Sequence, residues 1–571
     1  MSPSSKHINS GPRGQRVRAG RAGRAGRAEE RRGMGPQTTG AVSTTRLLAF
    51  LRDPRSYPGR PPGLRLVQTH ASWLVLTGRH VYKVKKPVDF GFLDFSTLEK
   101  RRHFCEREVM LNRRLCPGMY LGVVAISMNK GRLGFGPRGE IVEYAVKMRQ
   151  LPARFFMLHR IGRGEVTTRD VDAIVATLRP FYDAQRPGPD IANGGSVAKL
   201  RVSTGENFRQ TRGFIDVTIT RAAFEAIQCY TNAFYRRHAS LFAARVRDRR
   251  ILDCHGDLHL EHIHLSPARV TIYDCIEFND RFRYIDAASD AAFLAMDLDL
   301  RGRADLAQHF ARRMAKTLRD PAMPRLLDFY KCYRAFVRGK VESFQLAAVG
   351  ASEAERAECR ERAERYFRLA LRYAVCGSAP MVLIAMGRVA SGKSTVARLL
   401  GRELGWEVFS SDRIRKEMAG VPLEVRVGES ERRRLYSTRI SDRAYAALAR
   451  QAIGQVRQQR GVILDATFAS RRRRDKLRKT FDRKRVGYCF VEIRASAATI
   501  KQRLGRRSNS AGEISDARIE DFTVLDGAYQ PPAELGERHF FPVKTARSPE
   551  KAAAGILKIL ARRHACAAEP L

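Results

Sequence analysis

Two stretches of this 571-residue chain carry residue types and spacings suited to phosphate chemistry. In GRVASGKST, Gly387, Gly392, Lys393, Ser394 and Thr395 fit the pattern GxxxxGK[ST]. Glycines there let backbone N–H groups turn toward phosphate oxygens, and a helix starting at that point adds partial positive charge. Lys393 then reaches the β- and γ-phosphates of ATP, and Ser394 ligates Mg²⁺. The second stretch is HGDLHLEHIHL, His255 to Leu265. Asp257 is set to take a proton from an acceptor hydroxyl, with His255 bracing the loop. Asp274, in TIYDCIEF, is set to hold Mg²⁺ on a nucleotide's phosphates. Five residues after the base, where an amide oxygen would hold a second metal, stands His262. Mg²⁺ prefers hard oxygen and imidazole suits softer metals, so His262 is not expected to replace the amide directly. Either Glu261 or Glu277 supplies oxygen, or one Mg²⁺ on Asp274 suffices, or this half binds nucleotide and transfers poorly. The histidines at 255, 259, 262 and 264 also admit a Zn²⁺ reading, which their alternation along loop and strand disfavours.

These residues need elements to place them. MVLIAM, Met381 to Met386, predicts a buried strand before the glycine loop, and TVARLLGREL a helix after it. VFSSD predicts a second strand ending in Asp412, which would activate an acceptor hydroxyl beside Arg415, a clamp for an anionic group. Asp412 as a simple helix cap is the alternative. VILDATF predicts a strand whose Asp465 holds the Mg²⁺ water shell or the acceptor. In RLGRRS, Arg503, Arg506 and Arg507 would form a lid over phosphates or a solvated face. Strand-like and helix-like runs alternate to about residue 545, the pattern of a parallel α/β sheet. Upstream, SWLVLTGRHVYKVKK predicts a hairpin and LEKRRHFCEREVMLNRRL, Leu98 to Leu115, a helix. VTIYDCIEF predicts a strand ending in acids, and residues about 150–250 and 300–375 read as helical.

From Gly387 onward the chain resembles the small-molecule and polynucleotide 5′-kinase branch of P-loop proteins, through GxxxxGKST, SSDRIRKEMAG, ILDATF and the arginines near 503. That likeness implies that Asp412 activates the acceptor. HVYKVKK resembles the lysine-bearing strand of a kinase small lobe. It implies that Lys83 pairs with the α- and β-phosphates and with Glu108, or with the runner-up Glu106. Together with HGDLHLEHI and DCIEFN, these motifs are similar to the aminoglycoside-phosphotransferase-like superfamily. In order they resemble bacterial bifunctional aminoglycoside phosphotransferase/ATP-binding proteins over residues 45–545. The expected fold is an α+β protein-kinase-like two-lobed domain at 45–375, then an α/β P-loop NTPase domain with a parallel sheet at 380–545. A disordered basic tail at 1–44 and a C-terminal helix and tail at 546–571 flank them. The expected activity is ATP- and Mg²⁺-dependent phosphoryl transfer to a hydroxyl-bearing small molecule or polynucleotide end. The alternative is an ATP-binding regulator or nucleic-acid binder whose first half is degenerate.

The composition adds limits. A net charge of +46, with arginine far outnumbering lysine, fits either polyanion partners or a coding bias, and nucleic acid is not the favoured partner. Few aromatics interleave with RRRR, Arg471 to Arg474, so no stacking platform for single strands is expected. Ten scattered cysteines, with no CxxC pair, fit a reducing cytoplasm. No apolar run predicts a membrane span. The expected partners are a nucleotide and a small-molecule acceptor, with the oligomeric state left open.

Overall fold

β-Branched and aromatic residues on either side of Thr77–Gly78 form the predicted hairpin, and it is the centre of a larger sheet. The computed structural model describes residues 42–346, 352–425, 427–507, 518–545 and 548–567. Residues 1–41 of the predicted tail and the Arg507 side chain lie outside the described residues. Strands β1 (Arg65–Gln68), β2 (Ser72–Leu76), β3 (His80–Lys85), β4 (Tyr120–Asn129), β5 (Arg132–Phe135) and β6 (Glu140–Arg149) pair antiparallel in the order β1-β2-β3-β6-β4-β5. The Leu98–Asn112 helix begins where the Thr97 side chain accepts the Lys100 N–H, and packs on β6 and β4. It ends three residues before the predicted Leu115. The helix turns its buried Glu108 toward β3, whose Lys83 and Lys85 both reach it.

Residues 150–250 are largely helical, as predicted. Short strands follow: β7 (Ile251–Asp253), β8 (Ile263–Leu265), β9 (Val270–Ile272) and β10 (Tyr284–Asp286). The strand predicted through TIYDCIEF stops at Ile272, so Asp274 stands on a loop rather than on a strand. Its φ of 62° is left-handed, a conformation that aspartate tolerates better than most residues. Ties to the upper sheet pull the chain out of the ladder: Asp274 N–H donates to the Tyr120 hydroxyl (3.3 Å), and Cys275 N–H to Asn112 Oδ1 (2.8 Å). Behind this loop the Ala287–Leu300 helix is buried almost throughout, its apolar residues packed in the core and its Asp290 and Asp297 buried with them.

The Glu353–Cys376 helix is capped by Ser352 with Glu355 in a capping box and ends at Gly377 (φ 70°). Then β11 (Met381–Met386), β12 (Glu407–Ser410), β13 (Val462–Asp465), β14 (Gly487–Arg494) and β15 (Phe540–Lys544) form a parallel sheet in the order β12-β13-β11-β14-β15. Every residue of β11 is buried. Its alternate residues serve opposite faces: Met381, Leu383 and Ala385 join one core, Val382, Ile384 and Met386 another. The strand predicted to end in Asp412 stops earlier. Ser410 takes the N-cap of the Ser411–Ala419 helix and accepts the Asp412 N–H (3.3 Å), placing Asp412 in the first helical turn.

The predicted C-terminal helix, Pro549–Cys566, runs 18 residues and folds back on the Arg221–Arg237 and Glu353–Cys376 helices. Lys558 pairs there with Glu225 (2.6 Å), and His238 Nε2 donates to the Ala565 carbonyl (3.0 Å). One hydrophobic cluster therefore runs from the helices of the first half through one face of the parallel sheet. Among the described residues no helix is long and apolar enough to cross a membrane.

Candidate active sites

At the parallel sheet, the glycine loop joins β11 to the Lys393–Leu404 helix. Gly387 has φ 143°, and a Cβ on it would meet the Ile493 carbonyl oxygen at 2.4 Å, so only glycine fits. Gly392, at φ 97°, serves as the N-cap. Lys393, Ser394 and Thr395 form the first helical turn behind it. Asp465, at the end of the neighbouring β13, is 5 % exposed, and its Oδ1 has no hydrogen-bond partner among the described residues. Burial pushes its carboxyl up, Lys393 and the Ser394 hydroxyl pull it down, Asp412 pushes it up again, and the net shift is upward. Asp412 pairs with Arg415, which is itself buried and stacks on Tyr436 (4.8 Å) and Tyr445 (5.9 Å). Arg503 does not extend freely as a lid arm. Its guanidinium donates to the Ser391 carbonyl (2.8 Å) and the Ala390 carbonyl (3.3 Å), bracing the loop. Of RRRR, Arg474 is fully buried on Glu534 (2.5 Å), and Arg472 and Arg473 both hold Asp442 (2.5 and 2.9 Å). Most of that basic run is thus used inside the domain.

The second site lies between the antiparallel sheet and the helices below it, beside a cavity of about 460 Å³ lined by Lys83, Asp257, His262 and Asp274. Lys83 bridges Glu108 (2.9 Å) and Asp274 (2.7 Å). Burial weakens its ammonium, but Asp274, Glu108 and Glu277 outweigh that and hold its pKa well above the usual lysine value. Glu106, the runner-up, pairs instead with Arg102 in a largely exposed pair. Glu277, one candidate oxygen donor, is committed to Lys85 (2.5 Å).

The loop bearing Asp257 is fastened from below. Asp290 accepts the His255 N–H and the Gly256 N–H, both at 2.9 Å, and the Tyr182 hydroxyl at 2.8 Å. Asp297 accepts the Leu260 N–H (3.1 Å). His255 Nε2 donates to the Tyr273 carbonyl (2.9 Å), while Nδ1 accepts the Asp257 N–H (3.3 Å). The predicted bracing role is therefore made through backbone groups. Burial lowers its pKa to about 4. His262 Nδ1 donates to the Asp257 carbonyl (2.9 Å), and its Nε2 faces Asp274 Oδ2 at 3.5 Å. His259 Nε2 lies 3.3 Å from Asp257 Oδ2. Burial would raise the Asp257 carboxyl, but His259, then His262 and Arg338, depress it far below the usual carboxylate range.

Sequence reasoning missed Asp290 and Asp297. Their signal was present: of the three acids in this largely apolar helix, Asp290 and Asp297 stand seven apart on one face, and acids so placed are buried with partners. It also missed Lys85, whose partners stand 23 and 192 positions away.

Known proteins match both regions. A family model described as an AAA domain matches residues 382–532. A shikimate kinase of Moorella thermoacetica is 36 % identical over 77 residues, 13 % of this chain and 43 % of its own length. Among solved structures, a gluconokinase from Sinorhizobium meliloti 1021 covers 32 % of this chain and 93 % of its own, at 20 % identity and a TM-score of 0.24. A microcompartment-associated aminopropanol kinase covers 57 % of this chain and 97 % of its own, at 15 % identity and a TM-score of 0.34. The uncharacterized protein Rv2004c of Mycobacterium tuberculosis is 31 % identical over 483 residues, spanning 84 % of this chain and 92 % of the relative. With a P-loop kinase-like domain on a parallel sheet at its C-terminal end, the chain belongs to the family of that mycobacterial protein.

Proposed function

We propose that this protein is an ATP-dependent phosphotransferase whose P-loop domain binds the nucleotide and moves its γ-phosphoryl group to a hydroxyl-bearing acceptor. The observation that carries this reading is the buried Asp465 Oδ1, without a hydrogen-bond partner among the described residues, beside Lys393 and Ser394 where β13 ends. An orphaned carboxylate oxygen next to a hydroxyl fits a hydrated Mg²⁺, so the residues suit the ion. When bound, Mg²⁺ supplies neutralisation of charge on the β- and γ-phosphates. Gly387, Gly392 and Thr395 would shape the loop around the phosphates, and Lys393 would hold their oxygens. Ser394 and Asp465 would face the ion. Asp412 would take the acceptor's proton, with Arg415 fixing the carboxylate and offering a positive surface to an anionic acceptor. Arg503 would keep the loop in shape by donating to the Ser391 and Ala390 carbonyls.

The cleft of the first half supports a second, kinase-like site, because Lys83, Glu108 and Asp274 already meet there with Asp257 nearby. In this reading Lys83 clamps the α- and β-phosphates, Asp274 faces Mg²⁺, and Asp257 is the base. The depressed Asp257 pKa keeps that carboxylate ionised at neutral pH, and His259, His262 and Arg338 weaken its hold on a proton, so in this reading it orients the acceptor hydroxyl and takes the proton late in transfer. The name aminoglycoside phosphotransferase describes the resemblance of this half, and its acceptor is a separate question.

Release of γ-phosphate from ATP by the full chain, compared with Lys393→Ala and Asp257→Ala, tests both sites. Loss only in Lys393→Ala supports a working P-loop half and a degenerate cleft. Partial loss in each supports two working sites. Wild-type turnover that survives Lys393→Ala unchanged refutes the P-loop reading.

A further inference from the structure

We infer that Asp257, His259 and His262 form a site for a zinc-class divalent cation, distinct from the Mg²⁺ that would accompany a nucleotide. One imidazole nitrogen from each histidine and one Asp257 oxygen lie within 4.8 Å of one another. The His259 Nε2 to Asp257 Oδ2 separation, 3.3 Å, matches the edge of a tetrahedron whose bonds are about 2.0–2.1 Å. The two rings stand 4.0 Å apart, centre to centre. His262 Nδ1 stands 3.5 Å from the same Asp257 Oδ2 and 2.9 Å from the Asp257 carbonyl, so ligation through Nδ1 gives up that carbonyl contact and puts the proton on Nε2. Nε2 faces Asp274 Oδ2 at 3.5 Å, and a histidine whose second nitrogen meets a carboxylate is oriented as metal-bound histidines are. His259 is 3 % exposed, so solvent competes weakly for its ligand atom.

The other two histidines of the run are excluded from the site. His255 is held by the Tyr273 carbonyl and the Asp257 N–H, and His264 Nε2 meets the Pro152 carbonyl (3.2 Å). The site therefore comprises one carboxylate and two imidazoles rather than four histidines. Two imidazoles and a carboxylate with an open position suit Zn²⁺ and Co²⁺, and Mg²⁺ poorly. Coordination through His259 Nε2 requires the proton on Nδ1, which gives up one long contact with the Glu261 N–H (3.4 Å). Lys83 already partners Asp274 and Arg338 lies near Asp257, so the ion adds to a cleft with cations at both sides.

Occupancy has a consequence for transfer. A bound ion takes the Asp257 oxygen that would otherwise receive the acceptor's proton, so the cation is an inhibitor of the first cleft. That consequence rests on the proposed role of Asp257 as base; the binding does not.

Chelator-stripped full-length protein titrated with Co²⁺, in excess Mg²⁺, reads the site through the visible absorption of tetrahedral Co²⁺. One equivalent should bind, be displaced by Zn²⁺ and resist Mg²⁺. His259→Gln and His262→Asn should each weaken it by about tenfold or more. Thermal unfolding of both variants checks that they fold. A measurement that needs no variant is amide exchange over His255–His264, which Zn²⁺ should slow. Absence of a visible band, binding unchanged in the double variant, or stoichiometric binding with no slowing over that stretch overturns the site. If Asp257→Ala keeps full transfer while Co²⁺ still binds wild type as described, the base reading fails and the metal site stands.

Discussion

Replacing Asp290 by asparagine probes the anchor of the Asp257 loop without changing its shape. The carboxylate is fully buried and divides three donors between its oxygens: Oδ2 takes the His255 N–H and the Tyr182 hydroxyl, and Oδ1 takes the Gly256 N–H. An asparagine can place its one carbonyl oxygen where Oδ2 was. Its NH₂ then confronts the Gly256 N–H, donor against donor. A hydrogen bond to a charged acceptor contributes about 1.5–3 kcal/mol, and a buried donor left unpaired costs about 1–3 kcal/mol. Because the two charges overlap in one contact, the expected loss is about 2–4 kcal/mol. At about 1.4 kcal/mol per factor of ten, that is roughly 30- to 700-fold more frequent opening of the loop. Amide exchange of residues 255–260, in the full chain, reads it directly. Tyr182→Phe removes only the hydroxyl's bond to that carboxylate, about 1.5–3 kcal/mol, and should raise opening by roughly 10- to 150-fold. Exchange in Asp290→Asn within about threefold of wild type would refute the claim that this carboxylate holds the loop.

Two more outcomes follow from positions on either side of the shared core. Gly387→Ala forces a Cβ to 2.4 Å from the Ile493 carbonyl at φ 143°, so ATP affinity measured by calorimetry should fall at least about tenfold, within the 1–3 kcal/mol such strain costs; wild-type affinity would contradict the geometry. His255 is buried neutral with its pKa at about 4, below the unfolded value near 6.5. Between those values the unfolded chain binds the proton first. Stability therefore falls as pH drops from about 6.5 to 4, by about 3 kcal/mol, and flattens below. Urea unfolding of His255→Gln should lack that part of the slope, and an identical slope would reject the assignment.

What could be read from the sequence divides by the range of the contacts involved. The glycine loop, its Lys393 and the strand before it are one local pattern, and each part constrains its neighbour. Lys83, Glu108, Asp257 and Asp274 were legible by order along the chain, though only the fold brings Lys83 and Asp274 to 2.7 Å across 191 positions. Local chemistry also misled. VFSSD looks like a strand ending in an acid, but the Ser410 hydroxyl caps a helix two residues before Asp412, and capping outweighs the short apolar run. TIYDCIEF looks like a longer strand, but the Asp274 and Cys275 N–H groups leave the ladder to donate to Tyr120 and Asn112, more than 150 positions away.

Charge shows the same division in its sharpest form. A chain with net charge +46 invites a polyanion partner, and RRRR is its densest basic run outside the N-terminal segment. Yet Arg474 is fully buried against Glu534 and the Phe468 carbonyl, and Arg472 and Arg473 share Asp442. Arg503 and Arg415, which look like free phosphate or acceptor clamps, also have internal partners. An arginine counted in the sequence contributes to an outside ligand only after its carbonyl and carboxylate partners are subtracted. For the arginines named above, those partners stand 3 to 113 positions away. Under the proposed function, the positive field at a bound nucleotide is therefore local, set by Lys393, Arg398 and the loop's backbone N–H groups where β11 ends, and total charge is a poor guide to it.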